Sequence, residues 1–192
     1  MKIAGFKAAA TAAGLRYKDR LDLGLIVADE PAAAAGVFTR NIVQAAPVLW
    51  SKDRITSGRA RAILVNSGRA NACTGPKGLD DAAASAEAVG RALGCPPDQV
   101  LLASTGVIGQ PLNIEKLAAA IPALVEGLSE DNLPQVARAI MTTDTVIKMA
   151  ESTGFIGDKK ISAAGMAKGS GMIQPDMRSE ERRVGKECRS RW

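Results

Sequence analysis

The sequence predicts an α/β fold in the broad sense, with strands and helices mixed along the chain. Short apolar runs typical of buried strands occupy residues 21–27 and 61–65. Between residues 79 and 93 the apolar side chains instead recur at the spacing of an amphipathic helix. Because these elements do not alternate strictly and no internal repeat is visible, a regular βαβ array is not predicted.

Other segments complete this pattern. Further strands are predicted at residues 33–39, 46–50, 99–103 and 161–173, the last interrupted by glycines. The helix over residues 79–93 is expected to carry Asp80 and Asp81 in its first turn and to stop at Gly94. Asn113 is predicted to cap a helix that runs through Ala119. Pro122 is expected to begin a new helix, and an apolar stripe over residues 133–141 predicts another.

The last residues differ in character from the rest of the chain. Residues 178–192 have neither apolar periodicity nor a recognisable turn pattern, and they resemble the translation of a sequencing adapter. We therefore interpret residues 1–177 as the folded unit and residues 178–192 as an artefactual tail. A natural basic tail that binds acidic partners is the alternative. The tail holds six cations and three carboxylates, so it accounts for +3 of the net charge of +5. The remaining +2 does not indicate a nucleic-acid or membrane partner.

Histidine is absent from all 192 residues, which limits the chemistry that the chain can perform. Ser-His-Asp and Cys-His mechanisms are excluded, and Cys73, Cys95 and Cys188 lack the spacing of a zinc site. We expect no metal site. A nucleophile would need another activator, such as a free α-amino group. The chain has neither a membrane-length apolar run nor the apolar stretch of a signal peptide near its start, so a cytoplasmic location is expected.

Four polar segments are candidates for chemistry. Residues 66–75 follow a predicted strand and could present backbone N–H groups to a ligand, although a plain loop is the favoured interpretation. Ser104-Thr105-Gly106 also follows a strand and could stabilise an oxyanion, but such triplets are common in turns. Residues 142–145 predict either a cap or an edge that faces substrate. Lys168, followed by flexible backbone, suits a substrate carboxylate, with a β-bulge and a solvated lysine as the alternative.

Taken together, these segments resemble one family closely. The resemblance covers essentially all of residues 1–177 and keeps the motifs in order, namely residues 36–41, 45–48, 66–72, 104–109, 141–145 and 165–173. The family is ornithine acetyltransferase, also called glutamate N-acetyltransferase, of arginine biosynthesis. The resemblance implies a self-processing fold of mixed sheets and helices with an N-terminal nucleophile, of which this chain is the α-chain half.

The resemblance also implies a reaction and a set of roles. A threonine at the start of a separate β chain takes the acetyl group from N2-acetylornithine and passes it to glutamate, without a cofactor. Whether acetyl-CoA is a further acetyl donor stays open. By resemblance, Thr105 and Gly106 form the oxyanion hole, and Thr142 and Lys168 bind substrate. The implied partner is the chain's own β chain, in an α2β2 assembly. A related amidohydrolase or aminopeptidase and a non-catalytic binding fragment are the alternatives.

The sequence departs from the family at the cleavage point. Where the family has Ala-Thr after Met177, this chain has Arg178-Ser179. Ser179 therefore occupies the position of the nucleophilic threonine, which we interpret as a coincidence created by the artefactual tail. We expect the chain to be inactive without the β chain.

Overall fold

The computed structural model describes residues 2–169, and four strands there form one mixed sheet. In sheet order they are β1 (Phe6–Thr11), β2 (Leu23–Ala33), β3 (Arg59–Arg69) and β4 (Val100–Val107). The pairs β1–β2 and β2–β3 are antiparallel, whereas β3 and β4 are parallel. A parallel pair needs a crossover between its strands, and a long helix between β3 and β4 supplies it.

Four α-helices and a hairpin surround this sheet. The helices are α1 (Ala46–Arg54), α2 (Gly75–Leu93), α3 (Ile114–Glu126) and α4 (Leu133–Ala139). Short 3₁₀ turns lie at Ile55–Ser57 and Pro97–Gln99. The chain then forms an antiparallel hairpin of β5 (Lys148–Ile156) and β6 (Lys159–Ala167). The predicted α/β class is confirmed.

Each face of the sheet has its own apolar cluster. On one face, Leu25 and Leu64 pack with side chains from α2 and α3, including Val89 and Ile121. On the other face, a smaller cluster joins Ala8 of β1 to Val136 and Ile140 from the α4 segment, and Val65 and Met166 pack against it. Because strand side chains alternate between faces, β1, β2 and β3 each contribute to both clusters, whereas Val100 and Leu102 of β4 belong to the first cluster. The sheet therefore separates an α2–α3 layer from an α4 layer.

The prediction of a strand at residues 46–50 is wrong, because this segment is the start of α1. Pro47 lies in the first helical turn, where its missing N–H costs nothing. The helix packs beside β4, which is an edge strand of the sheet. The Trp50 Nε1–H donates to the Val100 carbonyl at 2.8 Å. The Ser51 hydroxyl donates to the Leu102 carbonyl and accepts from the Leu102 N–H, both at 2.8 Å. These side chains occupy backbone groups that an edge strand otherwise exposes.

Helix boundaries also differ from the predictions. Pro122 lies inside α3 and does not begin a new helix. Its ring is on the exposed side, while Leu117, Ile121 and Leu124 form one continuous buried stripe. Burial of those three side chains outweighs the cost of about 3 kcal/mol for an interior proline. Asn113 does cap this helix, since its side chain accepts the Lys116 N–H at 3.0 Å.

Helix α2 begins four residues earlier than predicted, at Gly75. Asp80 and Asp81 consequently lie beyond its first turn, which contains no acidic residue. Asp81 is instead buried, and Lys77 reaches it at 2.7 Å across one helical turn. Gly94 ends the helix in the left-handed conformation, as expected.

Strand boundaries also differ from the predictions. Strand β2 ends at Ala33, so residues 34–39 are not the separate strand that was predicted. Strand β5 was not predicted, because its side chains are mostly exposed and its apolar pattern is weak. Strand β6 agrees with the first part of the strand predicted at residues 161–173, and the rest of that prediction reaches beyond the described residues.

Candidate functional site

Two of the predicted polar segments lie side by side at the ends of the parallel strands. Asn66-Ser67-Gly68 and Ser104-Thr105-Gly106 pair in register, residue for residue. The prediction that they follow their strands as loops is wrong, since the pairing continues to Arg69 and Val107. The Ser104 hydroxyl donates to Asn66 Oδ1 at 2.5 Å, which ties the two segments on the α2 side of the sheet. The parallel crossover thus unites motifs that are distant in the sequence.

Hydroxyl groups face the opposite side of the same strand ends. Ser67 and Thr105 are cross-strand partners, and by strand alternation both point to the face of Val65, which packs in the α4 cluster. Ser67 is fully buried, and its hydroxyl has no hydrogen-bond partner among residues 2–169. Ser67 lies in the candidate segment 66–75 but was assigned no role of its own from the sequence.

Next to Thr105, Gly106 brings two backbones into close approach. Its φ is +131°, and a Cβ added there would lie 2.3 Å from the carbonyl carbon of Gly68. Gly68 itself has φ +106°. Only glycine adopts such conformations without strain, and only glycine leaves room for the neighbouring backbone. Thr105 and Gly106 are therefore held in a fixed geometry at the end of β4.

The loop that follows β3 uses its polar groups internally. Asn71 has a backbone φ of +47°. Its side-chain amide donates to the Gly78 carbonyl at 2.8 Å. The Thr74 hydroxyl donates to Asn71 Oδ1 at 2.8 Å. These bonds hold the first turn of α2, so the plain-loop interpretation of residues 66–75 is supported for the part that follows β3.

A second group of polar residues surrounds Asp144, whose side chain is only 1% exposed. Its Oδ1 accepts the Gly169 N–H at 2.6 Å and the Lys148 ammonium at 2.8 Å. Its Oδ2 accepts the Thr142 N–H at 3.3 Å and lies 3.9 Å from Lys168 Nζ. The predicted substrate-binding residues Thr142 and Lys168 are thus brought together by Asp144, which lies in the candidate segment 142–145 but was assigned no role of its own from the sequence. In the sequence, the one indication that Asp144 forms an ion pair is Lys148, four residues later.

The charge of Asp144 is fixed by these contacts. Burial alone raises the pKa of its carboxyl, but hydrogen bonds from Lys148, Gly169 and Thr142 outweigh burial and lower the pKa to about 2. Asp144 is therefore ionised at neutral pH. The Lys168 ammonium also donates to the Gly169 carbonyl at 2.9 Å.

Arg20 holds the segment that carries Thr142. Its guanidinium donates to the Met141 carbonyl and, at 3.4 Å, to the Thr142 carbonyl. It also lies over the Tyr17 ring, 4.9 Å from the centroid. A cleft of about 420 Å³ opens here, lined by Asp19, Arg20, Leu21, Arg138, Met141, Thr142 and Asp144. Its volume, and the charged side chains of Asp19, Arg20 and Arg138 among its lining residues, suit a small charged molecule.

The two groups of residues stay distinct within residues 2–169, where no side-chain hydrogen bond joins Thr105 to Thr142 or Lys168. The same part of the chain contains no cluster of three possible metal ligands and no helix long and apolar enough to span a membrane. Ser179 and the tail at residues 178–192 lie outside the described residues.

Comparison with known proteins places this arrangement in a family. The ArgJ family matches residues 7–180, which is most of the chain. The chain belongs to the ArgJ family. The Arginine biosynthesis bifunctional protein ArgJ of Desulfotalea psychrophila is 51% identical over 177 residues, and that of Geobacter sulfurreducens is 49% identical over 177 residues. Each alignment covers 92% of this chain but 45% of the relative, so the chain spans less than half the length of these curated ArgJ proteins.

Solved structures of ArgJ proteins have the same fold. The crystal structure of Arginine biosynthesis bifunctional protein ArgJ from Bacillus halodurans superposes with a TM-score of 0.83 at 39% identity, covering 91% of this chain and 92% of that chain. Ornithine acetyltransferase from Mycobacterium tuberculosis, solved in complex with ornithine, also gives 0.83, at 44% identity, covering 91% and 93%. The predicted ornithine acetyltransferase fold is confirmed.

Proposed function

We propose that residues 1–177 form the first half of an acetyltransferase that moves an acetyl group from N2-acetylornithine to glutamate, giving ornithine and N-acetylglutamate. The observation that carries this proposal is the gathering of Thr142 and Lys168 around one buried carboxylate, in a chain of the ArgJ family. The ornithine complex of the Mycobacterium relative supports an amino-acid substrate. The proposed location is the cytoplasm.

In this proposal the described residues bind and stabilise, and the nucleophile comes from the other half. A hydroxyl oxygen of the β chain attacks the acetyl carbonyl carbon, and the carbonyl oxygen becomes an oxyanion. The Thr105 hydroxyl and the Gly106 N–H donate to that oxyanion. When the C–N bond breaks, the ornithine amine leaves with a proton, and the acetyl group stays on the nucleophile as an ester. The glutamate amine then attacks the ester and regenerates the hydroxyl.

Lys168 contributes charge in the same scheme. Its side chain is 24% exposed, and its ammonium can pair with a substrate carboxylate, while Thr142 borders the adjacent cleft. No cofactor takes part, and acetyl-CoA as a second acetyl donor is a further outcome to be measured. The proposed assembly is α2β2, in which the β chain carries the nucleophile. Ser179 holds that position in this sequence only through the artefactual tail.

The test uses a full-length protein, in which residues 1–177 continue into the second half that relatives carry. We expect it to release ornithine from N2-acetylornithine only when glutamate accepts the acetyl group. Release into water without glutamate would instead support an amidohydrolase or aminopeptidase. Ornithine binding without any release would support a non-catalytic fragment. The 192-residue chain alone serves as the control and is expected to be inactive.

A further inference from the structure

We propose that Asp144 is a positioning residue that holds Thr142 and Lys168 in a single substrate-binding arrangement. This inference rests on the proposed function, since it concerns the two residues assigned there to substrate. Asp144 itself is not expected to touch substrate.

The Asp144 carboxylate joins its own segment of the chain to the distant backbone of Gly169. Thr142 follows α4, Lys148 begins β5, and Gly169 follows β6. Asp144 accepts a hydrogen bond from each of them. Within residues 2–169, no other side chain accepts hydrogen bonds from both the Thr142 and the Gly169 backbone. Removal of the Asp144 carboxylate would leave two N–H groups without their acceptor.

Two lysines lie near the Asp144 carboxylate, at different distances. Lys148 takes the close contact with Asp144 at 2.8 Å, whereas Lys168 stays at 3.9 Å. One cation therefore neutralises the buried carboxylate, and the other keeps much of its charge for a ligand. An ammonium group has three donors, and the Gly169 carbonyl takes one from Lys168 at 2.9 Å. The remaining donors are available to a substrate carboxylate.

The Asp144 carboxylate occupies the space that a side chain at position 169 would need. A Cβ added at Gly169 would lie 2.5 Å from Asp144 Oδ1. Glycine is therefore required at this position for the carboxylate to reach the backbone beside Lys168. The close approach therefore depends on both Asp144 and Gly169.

The experiment measures ornithine binding to the full-length protein by calorimetry, with thermal unfolding as the check on folding. Asp144→Asn keeps the shape of the side chain and removes its charge. We expect its Kd for ornithine to rise about tenfold, because a displaced Lys168 loses about one charge-assisted hydrogen bond to the ligand carboxylate. Asp158→Asn, on the exposed turn of the hairpin, is the matched control and should bind like the wild type.

A double-mutant cycle with Lys168→Ala separates positioning from general structural support. If Asp144 acts through Lys168, Asp144→Asn should weaken binding little further in the Lys168→Ala background. A full additional loss in that background would overturn the inference. Wild-type binding by Asp144→Asn, alongside weak binding by Lys168→Ala, would also overturn it and leave the proposed function standing. Wild-type binding by Lys168→Ala would instead contradict the proposed role of Lys168.

Gly169→Ala decides the question if Asp144→Asn does not fold. It displaces the carboxylate without changing any charge, and Gly165→Ala is its control because a Cβ at Gly165 meets no atom within 4 Å. Weaker ornithine binding by Gly169→Ala alone supports the inference. Equal binding by both variants overturns it.

Discussion

At Gly106, backbone conformation and packing both exclude a side chain. The residue combines φ +131° with contact distances that leave no room for a Cβ. Its neighbour Thr105 is placed by the same strand ending. Asp144 is held equally firmly, but by charge and hydrogen bonds.

Replacing Gly106 with alanine should lower the free energy of unfolding by about 3 kcal/mol or more, because strain and steric overlap add. Gly165→Ala, where a Cβ meets open space, should change it by less than about 1 kcal/mol. Urea unfolding of both full-length variants measures the difference. Equal stability of the two variants would contradict the close approach of the strands.

Replacing Thr105 with alanine tests the proposed oxyanion hole. Loss of one donor to a developing oxyanion should lower kcat about a hundredfold while KM changes little. The control is Thr153→Ala, which is exposed on β5. Steady-state kinetics of acetyl transfer to glutamate provide the measurement. Unchanged kcat would leave Thr105 with a purely structural role.

The depressed pKa of Asp144 makes part of the stability pH-dependent. Its pKa is about 2 in the fold and about 3.9 in an unfolded chain, so its contribution is present above pH 4 and is lost as pH falls toward 2. At pH 7 the free energy of unfolding of the wild type should exceed that of Asp144→Asn by on the order of 1 kcal/mol. The difference should shrink between pH 4 and pH 2 in urea titrations. A constant difference over that range would contradict the assignment.

Among the elements, α1 has an unusual task, because its side chains bond to the backbone of an edge strand. Ser51 satisfies both the N–H and the carbonyl of Leu102, and Trp50 satisfies Val100. The helix thus substitutes for a neighbouring strand along part of β4.

Ser51→Ala should cost about 1–3 kcal/mol of stability, since it leaves a buried N–H and a buried carbonyl without partners. Ser162→Ala, exposed on β6, is the matched control and should be nearly neutral. Chemical denaturation of the two full-length variants compares them. A neutral Ser51→Ala would show that water replaces the hydroxyl at this edge.

The elements also show what sequence patterns can predict. The buried strand at residues 61–65 and the helix over residues 79–93 were recognisable because their apolar side chains follow one period. Segment 46–50 was misassigned because a short apolar run suits strand and helix equally, and its contacts with β4 are tertiary. Strand β5 carries little apolar pattern because it is mostly exposed.

The candidate site was predictable in part, for a similar reason. Thr105, Gly106, Thr142 and Lys168 were selected through family resemblance, and the structure brings the last two together. Asp144 links Thr142 and Lys168 through a hydrogen bond from the Gly169 N–H, which is 25 residues away in the sequence. No local spacing in the sequence reveals such a contact.

At the scale of the molecule, the β5–β6 hairpin differs from the four-stranded sheet. Phe155 and Ile156 are 72% and 70% exposed, and two strands alone are marginally stable in water. A hairpin that exposes large apolar side chains in this way is consistent with the proposed second half of the protein.

Amide hydrogen exchange should therefore distinguish the hairpin from the sheet. In the isolated chain, β5 and β6 should exchange much faster than β2 and β3, and the second half should slow their exchange. The central strands, already protected, provide the internal control. Equal protection of the hairpin with and without the second half would contradict this expectation.

The contact between α1 and β4 also has a consequence for the order of events on the ribosome. Ser51 precedes its partner Leu102 by 51 residues, so the helix that covers the edge is synthesised well before the edge itself. Exposed strand edges are the surfaces through which nascent chains associate with one another. When β4 emerges and pairs with β3, its cover is already present in the same chain, and local concentration favours it over any neighbouring polypeptide.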